Sequence, residues 1–369
     1  MRYITPILLF ILLIGCPKPD EKLDPAICDD GYHPCGPDSQ DCCLDTTSSA
    51  FSWTIDTIGT FRTILRDVEY VNDNNIWVVG TINHMIPDSN GELTIREDFN
   101  LAHWDGVEWE MSYAYYGSVE LFSITYFSDD DIWVTSHSFP LHWDGMEWTL
   151  YHLQNMGLSV SAGKSSWGTS SDDIYFVGDG GSIVHYDGIS FTKIESGTGR
   201  NLNSISGTPN GEYIFITGTN ADKGSTILQL HNSEISVIYQ GEDELSLPAG
   251  TPRSISVLGD TVYFASGEGI WKFNYITNAS SRIVEAGTYE SILPSSIITS
   301  TPNDIFMCGS RSEFIHFNGV HWTSDFSVWG QFGYSGVGSY GMDVKGDDVV
   351  IVGYVEGWQK GLIAHGRRN

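Results

Sequence analysis

Positive charge is scarce in this chain. Eighteen lysines and arginines stand against 47 aspartates and glutamates, a net charge of −29. Nucleic-acid binding draws most of its affinity from basic side chains that neutralise phosphates. Such a surface repels nucleic acid, and it repels anionic lipid headgroups as well. Long apolar runs are also missing. The one strongly apolar stretch, residues 7–14 (ILLFILLI), falls far short of the roughly 20 residues that span a bilayer as a helix. Metal-site spacing is absent too. There is no paired C-x₂-C element and no EF-hand-like alternation of acids, so neither zinc nor calcium is expected, and no cofactor is implied. The acidity does not mean disorder, since 41% of residues are hydrophobic and 13% aromatic, enough to build a sizeable core. It fits a soluble, self-repelling, monomeric surface.

The N-terminus reads as an address. Arg2 gives it a positive start, the apolar stretch follows, and the stretch ends in Leu13-Ile14-Gly15-Cys16. That tetrapeptide resembles the bacterial lipobox, in which the signal peptide is cut before a cysteine that is then acylated. The resemblance implies a signal peptide over residues 1–15, Cys16 as the lipid-bearing mature N-terminus, and membrane attachment through that lipid. Pro17-Lys18-Pro19-Asp20-Glu21-Lys22 follows as a stiff polar tether, with no second apolar stretch to stop transfer. The lack of Asp directly after Cys16 implies, by the same analogy, outer-membrane sorting, on the periplasmic or the surface face.

Cysteine use agrees with export. Cys28, Cys35, Cys42 and Cys43 crowd into one Gly/Pro/Asp-rich stretch within the tether, residues 16–50. Outside the reducing cytosol, four such cysteines make two disulfides, with three possible pairings. Staples suit a segment with almost no apolar residues of its own.

From residue 51 onward one phrase recurs. An acidic turn leads into a short apolar strand ending in a small residue; a later strand ends His-aromatic-Asp-Gly, and an aromatic follows. The clearest copies are NNIWVVG…LAHWDGVEWEM, DDIWVTS…PLHWDGMEWTL, DDIYFVG…IVHYDGISFTK and NDIFMCG…FIHFNGVHWTS. Weaker copies are EYIFITG, DTVYFAS and DDVVIVG. Gly80, Ser136, Gly178, Gly218, Ser266, Gly309 and Gly353 close these strands, 56, 42, 40, 48, 43 and 44 residues apart. Consecutive β-branched and aromatic residues, as in Ile132-Trp133-Val134, imply a strand buried on both faces. The repeated aromatics are therefore assigned to packing.

Each Asp-Gly or Asn-Gly pair, at Asp105, Asp144, Asp187 and Asn318, sits between two strand-like runs and is read as a type I′ turn, with positive φ at both positions. The acidic doublets Asp130-Asp131, Asp172-Asp173 and Asp347-Asp348 are read as turn chemistry too. Each repeat then holds four strands; in the second they are 121–127, 132–136, 139–143 and 146–151. Seven four-stranded repeats of about 45 residues specify an all-β, seven-bladed β-propeller over residues 51–369. After Gly353 only one further strand fits, near residues 361–365. Phe51-Ser52-Trp53-Thr54-Ile55 would supply the missing outer strand, since Trp53 precedes Gly80 by 27 residues just as Trp109 precedes Ser136. Sharing the last blade between both chain ends removes an open edge.

The phrase D-[IV]-W-x-V-G…H-[WY]-D-G-x-x-W resembles the repeats of bacterial lipoprotein propellers, which are similar to photosystem-assembly-factor and BNR/sialidase-like propellers. The sialidase Asp-box places its Trp five residues after the Asp, whereas Asp105 precedes Trp109 by four.

Propellers bind at the channel mouth and on the loops that join blades. The candidate binding residues are Trp329, Phe332, Tyr334, Tyr340 and Trp358, an aromatic group in a Gly-rich passage, with Arg66 and Arg253 on inner strands. Exposed, these aromatics would stack on a sugar or a partner protein; as the lead into blade seven they would pack beneath it, the commoner fate of Trp and Phe. The insert at 81–99 is a further candidate. No catalytic constellation emerges. His103, His142, His185 and His316 share one repeat position and are read as structural. Cys308 falls in a core column and is not read as a nucleophile. A sialidase-like enzyme would need Arg, Glu and Tyr clustered on one substrate, and no such cluster is expected from Arg66, Arg200 and Arg253. The expected function is a non-catalytic envelope scaffold recognising a protein or a glycan. The alternative is a glycan-active hydrolase or lyase at the channel mouth.

Overall fold

The computed structural model describes residues 28, 31–34, 42–117, 119–137, 139–220, 224–240, 253–266, 269–285, 294–309, 314–325, 328, 332, 337–355 and 360–369. The chain divides into two compact units, Met1–Asp45 and Thr46–Asn369. In the first, Tyr32–Pro34 pairs with Cys42–Leu44, strands that composition alone did not suggest. Cys28 and Cys42 are disulfide-bonded with Cα atoms 5.7 Å apart, and Cys43 is disulfide-bonded as well. Cys16 and Cys35 lie outside the described residues.

The second unit is a seven-bladed β-propeller. Seven antiparallel four-stranded sheets follow one another round a ring. Their inner strands are Ile64–Asn72, Leu121–Ser128, Ser161–Ser170, Asn201–Gly207, Ser254–Leu258, Pro294–Thr301 and Gly338–Lys345. Each inner strand packs beside the next, and the last returns to the first. The repeated apolar phrase is the second strand of each blade, and an apolar cluster lies at every junction between blades. Trp133 shows why. It is fully buried in blade two, and its ring centroid lies 5.5 Å from that of Phe176 and 5.3 Å from that of Tyr186, both in blade three. An aromatic of this size buries about 150–250 Å², worth grossly about 4–6 kcal/mol.

The last blade closes as the repeat spacing predicts. Phe51–Ile58 pairs antiparallel with Lys360–Arg368, and Trp53 stands opposite Gly366. The fit is close, since a Cβ on Gly366 would come within 2.6 Å of the Trp53 ring.

Three local expectations are corrected. In the second blade the fourth strand is Trp148–Leu150, shorter than 146–151, because the preceding turn takes up more chain. That turn is not type I′: Gly106, Gly145, Gly188 and Gly319 have φ of 82–93°, but the Asp or Asn before each does not have positive φ. Instead the side chain closes the turn. Asp105 Oδ1 accepts from the amides of Val107 and Glu108 at 2.8 and 2.9 Å, and Asp144, Asp187 and Asn318 do the same. Backbone donors like these hold the Asp105, Asp144 and Asp187 carboxyls below their usual range. Positive φ at both central positions occurs at Asn232-Ser233 of blade four, 51° and 63°.

The third correction concerns the acidic doublets. Their second members carry more than turn chemistry, because each accepts a hydrogen bond from the histidine of the third strand. His142 Nε2 lies 2.8 Å from Asp131, His185 Nε2 2.8 Å from Asp173 and His365 Nε2 3.0 Å from Asp348; Asp304 holds His316 at 2.7 Å in the same way. Each of the first two rings also stacks on the aromatic of the second strand, 4.4 Å from Trp133 and 4.2 Å from Tyr175. The recurring histidines thus cross-brace their blades.

Candidate functional site

Every inner strand begins where the chain arrives from the preceding blade. All seven therefore start at the same end of the channel, and that mouth holds a cavity of about 570 Å³. Each blade contributes to its wall: Arg66 from blade one, Phe122 from two, Lys164 from three, Asn201 and Asn203 from four, Arg253 from five, Ser295 from six and Tyr340 from seven. Arg66, Arg253 and Tyr340 of the sequence-predicted residues come together here.

The charges are arranged in a definite way. Arg66 donates from Nε to Glu120 at 2.6 Å, and its guanidinium lies 4.4 Å from the centre of the Tyr340 ring and 5.6 Å from that of Phe122. Cation–aromatic contact of this kind holds an arginine in place. Arg, Glu and Tyr therefore do meet, against the expectation that no such cluster exists. Glu120 is committed to Arg66 and Tyr340 lies under it, so the group is a braced cation. Lys164 pairs with Asp179 at 2.7 Å. Arg253 is exposed and has no carboxylate partner among the described residues.

Deeper in the channel the sign of charge reverses. Asp67 and Glu69 on the first inner strand and Asp343 on the seventh are partly buried. Asp67 accepts from the amides of Val68 and of Ile124 in the next blade, both at 3.0 Å. Asp343 accepts from Tyr70 across the blade-seven/one junction at 2.8 Å. Serines play this part elsewhere: Ser123 accepts from the Ser166 amide at 3.3 Å and Ser254 from the Ile297 amide at 3.1 Å. Burial drives the Asp67 carboxyl up to about 7, helped by the neighbouring Asp343 charge and resisted by its amide donors. Burial raises Glu69 as well, with the charges of Asp343 and Asp67 adding to it, and burial raises Asp343. Sequence reasoning missed these three. Aligning the inner strands would have found the first, because Asp67 stands in a column otherwise made of Ser123, Ser165, Ser204, Ser254, Ser296 and Gly341.

Other candidates fall elsewhere. Phe332 is half-buried and packs against the cluster between blades six and seven, so it is a packing residue. Trp329, Tyr334 and Trp358 lie outside the described residues. The insert extends the hairpin of Asn75–Pro87 and Leu93–Trp104, rising at the mouth end because second strands run back toward it. Beside it is an aromatic group the sequence reading passed over. Tyr113 stacks on Phe99 at 4.9 Å and contacts Tyr116 at 5.5 Å, and Tyr116 is 82% exposed. Cys308 is buried and its thiol is pushed by burial up to about 12, which leaves no thiolate for chemistry. Among the described residues one group, Asp73, Asp348 and His365, has the ligand chemistry for a metal. Arg367 already occupies it, 2.7 Å from Asp73 and 2.8 Å from Asp348.

Fold and site together define a seven-bladed β-propeller with a polar, cation-lined channel mouth. No family model matches the chain, and no curated protein matches it either. Solved structures do. A structure of YCF48 bound to D1 peptide superposes with a TM-score of 0.64 at 13% identity, over 88% of this chain and 98% of that one. YCF48 from Cyanidioschyzon merolae gives 0.61 at 13% identity, covering 86% and 98%. The WD40 β-propeller domain of Doa1 gives 0.60 at 15% identity, covering 86% and 98%. At these identities the likeness is one of fold.

Proposed function

We propose that this protein is a non-catalytic scaffold of the bacterial cell envelope, tethered by a lipid on Cys16, which holds an acidic segment of a partner protein at its channel mouth. One observation carries the reading. In a chain with net charge −29, Arg66, Lys164 and Arg253 converge on a single cavity. A low-dielectric mouth ringed by cations focuses field and draws in anionic groups. Arg66 and Lys164 are braced by carboxylates, whereas Arg253 is exposed and has no carboxylate partner among the described residues. A cavity of about 570 Å³ accepts a few residues of extended chain. That a propeller of this fold, YCF48, has been seen with a peptide bound supports the same use of the architecture. An acidic glycan is the second reading, favoured by the Phe122 and Tyr340 rings beside Asn201 and Asn203. Neither reading requires turnover.

The test is calorimetric titration of the mature protein with an Asp/Glu-rich peptide and with oligouronides. The peptide is expected to bind, to weaken with added salt, and to lose about tenfold or more in affinity in Arg253→Glu, since like charges then face each other. Peptide binding that is absent, or indifferent to Arg253→Glu, removes the reading; binding of uronides alone installs the second. Membrane attachment is checked separately, by whether Cys16→Ser releases the protein from the membrane fraction and abolishes labelling with a fatty-acid analogue.

A further inference from the structure

The repeat contains one position where its own pattern is broken, and a cavity lies there. Across each blade a row of paired residues runs from the Ile/Val column of the second strand, through the third, to the fourth. The rows are Ile76–Trp104–Trp109, Ile132–Trp143–Trp148, Ile174–Tyr186–Phe191, Ile214–Leu230–Ile235, Ile305–Phe317–Trp322 and Val349–Gly366–Trp53. The fourth-strand member turns toward the preceding blade and fills the slot between them. Trp109 reaches Asp56 of blade seven at 3.2 Å through Nε1, and Trp53 reaches Asp325 of blade six at 3.0 Å. In blade five the row is Val262–Phe273–Ser280. Where five blades place an aromatic and one an isoleucine, this blade places a serine.

The slot it faces, between blades four and five, is an open cavity of about 440 Å³, within the size range of small-ligand sites. Its walls are Ile227, Val237 and Tyr239 of blade four and Val262, Phe264 and Phe273 of blade five, with Ser280 at the vacated position. Among the described residues no charged one lines it. The slot between blades seven and one also keeps a cavity, of about 410 Å³, but Asp56, Asp73 and Arg367 line that one and Trp109 stands in it. Tyr275 packs at the same junction, 4.6 Å from Tyr213 and 5.2 Å from Phe215, and is not among the residues that line the cavity.

We propose that the slot between blades four and five binds an uncharged aromatic ring of one or two fused cycles, the group that five sister positions carry as their own side chain. The walls present aliphatic and aromatic carbon for it, while Gln229, Ser236 and Ser280 offer partners to an indole N–H. The ring could arrive as a free aryl molecule or on a Trp or Phe of another chain. The site is separate from the cationic mouth and stands or falls independently of it.

The test follows the methyl groups of Ile227, Val237 and Val262 by NMR in the full mature protein, titrated with indole and with N-acetyl-tryptophanamide. Saturable shifts at these methyls are expected with indole. If the amide also binds, a chain-borne ring fits; if only indole does, the site takes a free ligand. Ser280→Trp should fill the slot internally, raise Tm and abolish the shifts. Should Ser280→Trp fail to fold, Val237→Asp at the half-exposed rim is expected to weaken indole binding about tenfold by forcing a carboxylate against an apolar ligand. Arg253→Glu should leave indole binding intact. Absence of saturable shifts in the wild type, or shifts that survive both slot variants, overturns the proposal.

Discussion

Arg368 grips Asp304 from the far side of a blade boundary. Its Nη2 lies 2.9 and 2.8 Å from the two carboxylate oxygens, and both side chains are almost fully buried, 8% and 7% exposed. Asp304 belongs to blade six and Arg368 to the third strand of blade seven. The neighbouring Arg367 reaches the opposite way, to Asp73 of blade one at 2.7 and 2.8 Å. Two consecutive arginines near the end of the chain thus fasten the closing blade to both of its neighbours.

Removing the buried grip leaves a carboxylate without its counter-charge, the costly way to break such a pair. Arg368→Ala is expected to lower unfolding free energy by about 3 kcal/mol. Arg367→Ala, at a half-exposed pair, should cost about 1 kcal/mol or less. Denaturant titration of both variants measures the difference, and equal costs would refute this account of closure.

The Asp304 pair also sets an acid limit. Burial raises its carboxyl, but the His316 hydrogen bond and the Arg368 charge outweigh burial and hold it below the ordinary 3.8. A group depressed in the folded state contributes fully above the unfolded value and loses that contribution as pH falls through the folded one. Stability should therefore drop from about pH 4 downward, less steeply in Asp304→Asn. An unchanged acid slope in that variant would contradict the assignment.

Asp67 acts with the opposite sign. Its folded value is about 7 against 3.8 unfolded, so between those values the folded protein holds a proton that the unfolded chain has released. Stability should fall as pH rises through that window, by at most about 1.4 kcal/mol per pH unit for this group. Asp67→Ser installs the residue that the sister blades use as their inter-blade acceptor and should flatten the slope by one proton. Thermal melts from pH 4 to 8 decide it.

Residues 51–58 supply the outer strand of the closing blade. A chain beginning after residue 58 would leave Lys360–Arg368 as an unpaired edge and strip Phe51 and Trp53 from the blade-six/seven cluster. Exposed edges recruit other strands, so this truncation is expected to aggregate. A truncation that is monomeric in size-exclusion chromatography and melts at the wild-type temperature would show that closure does not depend on the strand.

Glycines with the same backbone preference differ in what surrounds them. A Cβ on Gly91, at φ 84°, would have nothing within 4 Å, whereas on Gly106, at φ 93°, it would come 2.4 Å from Asn74 Oδ1. Gly91→Ala should cost about 1–2 kcal/mol for the left-handed backbone alone. Gly106→Ala should cost more, because the Asn74 side chain must also move. Equal melting temperatures for the two would refute the packing argument.

Blade number, the burial of the aromatic strand and the closure of the ring were all legible in the sequence, because a radial strand squeezed between neighbours needs the same residue types at the same place every time. Ile132-Trp133-Val134 and its six counterparts state one packing problem seven times. The partners of Asp131 and Asp173 were less legible. A carboxylate beside a turn looks alike whether it caps that turn or braces a histidine ten or so residues away.

Repetition and register were determined by the sequence alone, since both are set by local strand and turn chemistry. Only the tertiary structure decided which unlike residues meet. Arg66, Lys164 and Arg253 are far apart in the chain, and closing the ring brings the starts of their strands to one mouth. Ser280 is an ordinary strand residue until the sheet beside it is in place, when its small side chain leaves a cavity. The physical reason is the same in both cases: a site is a relation between blades, and a repeat unit describes only one blade at a time.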